Sequence, residues 1–146
     1  SVRHFLDFEI KAADFYANIN DMEPIVHTMH DFGCRVSLDG LGGDALAFSQ
    51  LEIPFVDMVK FHRNFLLTGM KNANNRIFFE KMAEIFNTCN VPVLCEGIET
   101  SKEAHFVQEC GISYMQGFYY GRPVPFDIFE KKYMIPQPAY LAILAQ

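Results

Sequence analysis

An α/β fold built on a parallel sheet of about five strands, with helices on its outer face, is the architecture this sequence predicts. Three observations carry it. Helical apolar spacing alternates with short apolar runs along the chain, each run is too short for a helix, and the runs are separated by helices or a linking segment. Such strand–helix–strand alternation requires crossovers, and crossovers give parallel pairing.

The elements follow in order. "HFLDFEI" near the start reads as the first strand. Met22, Ile25, Val26, Met29 and Phe32 then fall at helical spacing, and Gly33 offers a C-terminal stop. "CRVSLDG" (34–40) is the second strand, followed by the linking segment 44–56. "DMVKFH" (57–62) is the third. Phe78, Met82, Ile85, Phe86 and Cys89 form a second helical stripe, read as core packing, and "VPVLCE" (91–96) is the fourth strand. Thr100 with Glu103 reads as a capping box opening a third helix that ends near Cys110–Gly111, and "SYMQGFYYG" is the fifth strand. "DGLGG" lacks the Lys-Ser or Lys-Thr of a phosphate loop and is expected to be a tight turn.

Composition narrows the classes. With 146 residues, half of them hydrophobic, the chain is at most one domain with a real core, and disorder is excluded as its main state. A formal charge of −6 offers no basic stripe to a nucleic-acid polymer. No apolar run approaches the roughly 18 residues of a membrane helix, and no signal-peptide pattern opens the chain. Cys34, Cys89, Cys95 and Cys110 lack C-x-x-C spacing and are expected to be reduced, buried thiols of a cytoplasmic protein. His27 and His30 share a helix face but are expected to be solvent-exposed, and no nucleophile signature is present.

Parallel strands buried on both faces read as continuous apolar runs, and their ligands gather at the carboxyl ends. Those ends carry Glu9, Asp39, Lys60 with His62, Glu96 with Glu99, and Gln116. Carboxylates grouped on one rim, with one lysine among them, suit a hard cation and an anionic substrate.

Here the residues reach a family. "LCEGIET", followed by "MQGFYYGRPVP", closely resembles the end of the EAL domain, the cyclic di-GMP phosphodiesterase barrel. "LDFEI", "CRVSLDGLGG" and "MVKFH" are similar to its strand-four, strand-five and strand-six motifs. The resemblance implies a modified eight-stranded α/β barrel holding two Mg²⁺ or Mn²⁺ ions that activate a water for attack on a phosphodiester. It implies metal carboxylates at Glu9 and Asp39, a catalytic lysine at Lys60, a general base or metal ligand at Glu96, and a supporting acid at Glu99. On the substrate side it implies Gln116; Arg122 is a further candidate contact for the ligand's phosphates.

Departures from the pattern set the expected function. Gly40 stands where the family has a second aspartate, His62 where it has another, and Ala12 where it has a loop-steadying acid. An imidazole serves Mg²⁺ poorly and adds no negative charge, so the second-metal site is expected to be lost. The expected function is a degenerate cyclic di-GMP signalling domain acting as a regulatory or binding module. The alternative is a metal-dependent phosphodiesterase that yields the linear dinucleotide. Because an eight-stranded barrel takes about 250 residues, residues 1–146 are expected to be strands four to eight of an EAL-type domain in a longer signalling protein. Its open edges should then be covered by the amino-terminal half, by a second copy in a homodimer, or by a neighbouring domain.

Overall fold

The computed structural model describes residues 3, 6–43 and 55–134. The start of "HFLDFEI" and most of the linking segment 44–56 lie outside them. In chain order the elements are β1 (Asp7–Lys11), α1 (Ala12–Ala17), α2 (Ile19–Asp31), β2 (Arg35–Leu41), β3 (Met58–Phe61), α3 (Arg63–Gly69), α4 (Ala73–Thr88), β4 (Val93–Cys95), α5 (Ser101–Glu109), β5 (Tyr114–Met115) and α6 (Phe126–Phe129). A short π-helical turn, Glu130–Met134, follows. The five strands form one sheet in the order β1-β2-β3-β4-β5, every neighbouring pair parallel. The fold class is therefore the expected one, although the sheet does not close into a barrel among the described residues.

The expectation of strands buried on both faces holds for β3, whose four residues are all buried, and fails for β1, which is largely exposed. Successive strand residues point to opposite faces, and here the two faces differ. Val36, Leu38, Val59, Phe61, Val93 and Cys95 are buried in one core with Phe15, Val26, Leu66, Phe79, Ala83, Phe86, Phe106 and Val107 from the helices. The other face carries Asp7, Glu9, Ser37, Asp39, Met58, Lys60 and Leu94. On this second face Asp7 and Glu9 of β1 are exposed, while Ser37, Met58 and Lys60 of the central strands are buried.

Phe61 centres the core, its ring 5.0 Å from Phe65, 5.4 Å from Phe79 and 6.1 Å from Phe86. The helical stripes sit differently from the expected ones. Phe79, Ala83 and Phe86 form the buried face of α4, while Phe78, Ile85 and Cys89 are exposed. On α2 only Val26 is fully buried, with Met22 and Met29 packed against the core, and Ile25 and Phe32 face solvent. The cysteines are all free, but Cys95 and Cys110 alone are buried.

The fifth strand is shorter than "SYMQGFYYG" suggested. A Cβ on Gly117 would lie 2.1 Å from the Ile98 carbonyl oxygen, so the backbone there passes against the loop after β4. The chain then turns, with Tyr120 N–H bonded to Gly117 O at 3.1 Å. The capping box is present as expected, with Thr100 accepting from Glu103 N–H and the Glu103 carboxylate accepting from Thr100 N–H. No helix among the described residues is long and apolar enough to cross a membrane.

Candidate functional site at the carboxyl ends of the strands

All five strand ends reach the same edge of the sheet because all pairings are parallel. Strand β2 is irregular there. Leu38 pairs with Val59 but Leu41 with Phe61, so Asp39 and Gly40 together oppose Lys60. This bulge needs Gly40, whose φ is +80°, a conformation that L side chains rarely adopt. It is also open space, since nothing lies within 4 Å of where a Cβ would stand. The "DGLGG" stretch continues as the expected tight turn, with Gly43 N–H on Gly40 O at 3.0 Å.

The strand ends build a pocket of about 300 Å³, lined by Asp39, Gly40, Gly43, His62, Asn64 and Glu96, with Lys11, Ala12 and Ala13 from the β1–α1 junction. Asp39 and Glu96 both line it, close enough to influence each other electrostatically. Burial raises the Glu96 pKa above the ordinary carboxylate value, and the Asp39 charge adds to this. Lys60 and His62 pull against both. Two acids held this close favour a shared proton or a shared cation.

His62 is committed elsewhere. It caps α3, its Nδ1 accepting from Asn64 N–H at 3.1 Å. A neutral imidazole that accepts at Nδ1 carries its proton on Nε2 and has no lone pair left for a metal. A Cβ on Gly43 would lie 2.8 Å from His62 Cγ, so the glycine turn presses against the ring.

The remaining expected residues fall into three further groups. Lys60, only 6% exposed, donates from Nζ to Glu9 Oε1 at 2.6 Å. Glu9 is therefore engaged by an ammonium, and neither residue lines the pocket. Glu99 is ion-paired with Arg63 at 2.9 Å and does not line the pocket. Gln116 and Arg122 line a separate, open hollow of about 530 Å³ beside β5, where the Arg122 guanidinium sits 4.5 Å from the centre of the exposed Phe118 ring.

Sequence reasoning missed Arg63 and the second role of Glu103. Arg63 follows directly on the charged end of β3, and that adjacency was the signal available. Glu103 was visible as a capping residue, but its ion pair with Arg63 (3.0 Å) depends on tertiary approach.

The comparisons with known proteins bear on this edge. The family model of the EAL domain matches residues 1–123. The chain belongs to the EAL domain family. A cyclic di-GMP phosphodiesterase, PdeR of Escherichia coli, is 26% identical over 88% of the chain and 19% of its own length. The signaling protein YkoW of Bacillus subtilis is 22% identical over 92% of the chain and 17% of its own length. Among solved structures, the EAL domain of Mycobacterium smegmatis DcpA superimposes with a TM-score of 0.78 at 20% identity, covering 92% of this chain and 61% of that one. The Klebsiella pneumoniae BlrP1 manganese and cyclic di-GMP complex gives 0.70 at 16% identity, over 83% of this chain and 31% of that one. This chain thus spans about a fifth of the length of the two curated relatives and part of each solved chain.

The EAL relationship implies divalent cations, and the side chains at this edge fit that expectation in part. Among the described residues no three of His, Cys, Asp and Glu gather as a metal centre. The Asp39–Glu96 pair suits one cation that keeps most of its waters, as Mg²⁺ does. Around that pair Gly40 brings no ligand, Nδ1 of His62 is engaged as a helix cap, and Glu9 is paired with Lys60.

Proposed function

We propose that this chain is the strand-four-to-eight portion of an EAL domain that binds cyclic di-GMP weakly, through one divalent cation, as a regulatory or binding module with impaired catalysis. The observation that carries this is the donor set at the pocket: two carboxylates, Asp39 and Glu96, beside a glycine and a capping histidine where further ligands would be needed. When bound, a cation there would neutralise the two acids and polarise a phosphodiester oxygen.

The chain's own residues set the rest. Asp39 and Glu96 hold the cation, and Glu96 takes or gives a proton at its carboxylate. Lys60, held by Glu9, supplies positive potential beneath the pocket and lowers the cost of an approaching phosphate. Glu99 acts through Arg63 as a support for the loop that carries Glu96. Gln116 and Arg122 offer the second contact area, with an amide for hydrogen bonding and a guanidinium for the other phosphate. Without a cation the acids repel the ligand, since unit charges 4 Å apart interact by about 4 kcal/mol at an effective dielectric near 20.

Titration calorimetry of the chain with cyclic di-GMP tests this. Binding weaker than about 10 μM, dependent on Mn²⁺ and lost in Glu96→Gln, is the expected result. Tight binding in the absence of metal would overturn the assignment of this pocket. A retained phosphodiesterase activity, which the name of the PdeR relative favours, is the second reading.

A further inference from the structure

The loop that carries Glu96 is held from outside the pocket by one arginine. Arg63, the first residue of α3, directly follows His62 in the chain. Its Nη1 donates to the Gly97 carbonyl and to Glu103 Oε2 at 3.3 Å, and its Nη2 pairs with Glu99 at 2.9 Å and Glu103 at 3.0 Å. The Glu103 carboxylate is 8% exposed and also accepts from the N–H groups of Glu99 (2.7 Å) and Thr100 (3.0 Å). One guanidinium thus engages three consecutive parts of the β4–α5 connection: the backbone after Glu96, the side chain of Glu99, and the cap of α5.

Backbone shape locks the same contact. Gly97 has φ +73°, and a Cβ there would lie 2.7 Å from Arg63 Cβ. The arginine stem therefore lies flat against the glycine, and the turn after Glu96 has room for this contact only because position 97 carries no side chain. At its other end Arg63 is bonded through the chain to His62, whose ring lines the same pocket.

We propose that Arg63 is a positioning residue of the strand-end pocket, fixing Glu96 beside Asp39 while holding His62 on the pocket wall. A guanidinium suits this work because its planar fork reaches several oxygens at once, whereas an ammonium is a single point. Partners that orient a metal ligand in this way typically contribute 10- to 100-fold to metal affinity. The inference rests on the reading of Asp39 and Glu96 as a cation site, and its test separates the two.

The test uses the full chain with Mn²⁺ alone as the probe, its binding followed by electron paramagnetic resonance. Amide NMR spectra are recorded on metal-free samples of the same variants. In Arg63→Gln, Mn²⁺ affinity should fall about 10- to 100-fold with the helical circular dichroism kept. Arg63→Lys should recover only part of the loss, and Lys102→Gln, on the exposed side of α5, should match the wild type. Arg63→Gln with wild-type Mn²⁺ affinity would overturn the proposal. If the wild-type chain binds no Mn²⁺, the cation-site reading fails. The positioning claim is then judged by the Glu96, Gly97 and His62 amide signals, which must move in Arg63→Gln and stay in Lys102→Gln. Unmoved signals would overturn it.

Discussion

Lys60 and Glu9 form a pair whose two halves should respond very differently to removal. The ammonium is 6% exposed and the carboxylate 52%, at 2.6 Å. At an effective dielectric near 20 the gross attraction at this distance is about 6 kcal/mol. Most of it is offset by desolvation of the lysine and by water around the exposed glutamate. Glu9→Gln leaves a buried charge without its counter-ion, and a net loss of about 2 kcal/mol is the discounted expectation. In a domain of roughly 150 residues that lowers Tm by about 4–8 °C. Lys60→Met removes the buried charge, keeps much of the side-chain volume and leaves Glu9 to solvent, so it should cost under about 1 kcal/mol. Thermal unfolding followed by circular dichroism, with urea titrations at one temperature, reads both. If Lys60→Met proves more destabilising than Glu9→Gln, the buried lysine is not the expensive partner and the argument fails.

Other outcomes follow from the same edge. Glu96 has a raised pKa from burial and from the neighbouring Asp39 charge, so the fold is favoured by its protonated form and penalised as pH rises through the folded value. Glu96→Gln should therefore be more stable than wild type near pH 7 without metal, with the difference vanishing below the ordinary carboxylate range; a variant less stable at pH 7 would contradict this. For Glu103, burial alone would raise the pKa, but hydrogen bonds from Arg63 and from the Glu99 and Thr100 N–H groups hold it below the usual value. Its stabilisation is present above the unfolded pKa and lost as pH falls through the folded one, so acid titration of Glu103→Gln should show a shallower loss of stability than wild type. Burial pushes the Cys95 thiol up to about 12, and Cys89 is exposed. Iodoacetamide with mass spectrometry should label Cys89 first and leave Cys95 unmodified until unfolding. Restoring acids with Gly40→Asp and His62→Asp should strengthen Mn²⁺ binding about tenfold or more by calorimetry, near 1.4 kcal/mol. The φ of +80° at position 40 costs roughly 1–2 kcal/mol of stability in exchange.

The parallel order of the sheet was legible because each strand is short, apolar and separated by a helix or a linking segment. Strand ends were legible for the same reason, since charge appears where each apolar run stops. The faces were harder. Phe78, Ile85 and Cys89 satisfy helical spacing as well as Phe79, Ala83 and Phe86 do, and only the position of the sheet chooses between them. The extent of β5 depended on Gly117 meeting the Ile98 backbone, a contact between loops that spacing does not encode. At the site, Asp39 and Glu96 were foreseen and do come together. Their separation from Glu9 and Glu99 was not foreseen, because it depends on register and on Arg63. Glu9 stands level with Ser37 and Met58, and the long lysine side chain from position 60 reaches back to it. His62 was legible as a departure at a strand end; its use as a helix cap needs the start of α3.

Turnover is the most direct measure of the central claim that one cation, held by Asp39 and Glu96, supports binding without efficient hydrolysis. The chain is incubated with cyclic di-GMP and Mn²⁺ or Mg²⁺, and the linear dinucleotide is followed by chromatography beside Glu96→Gln. Losing one electrostatic contact to a transition state commonly costs about 10² to 10³ in rate, so the account predicts product indistinguishable between wild type and Glu96→Gln. Metal-dependent formation of the linear dinucleotide by the wild type, abolished in Glu96→Gln, would contradict it.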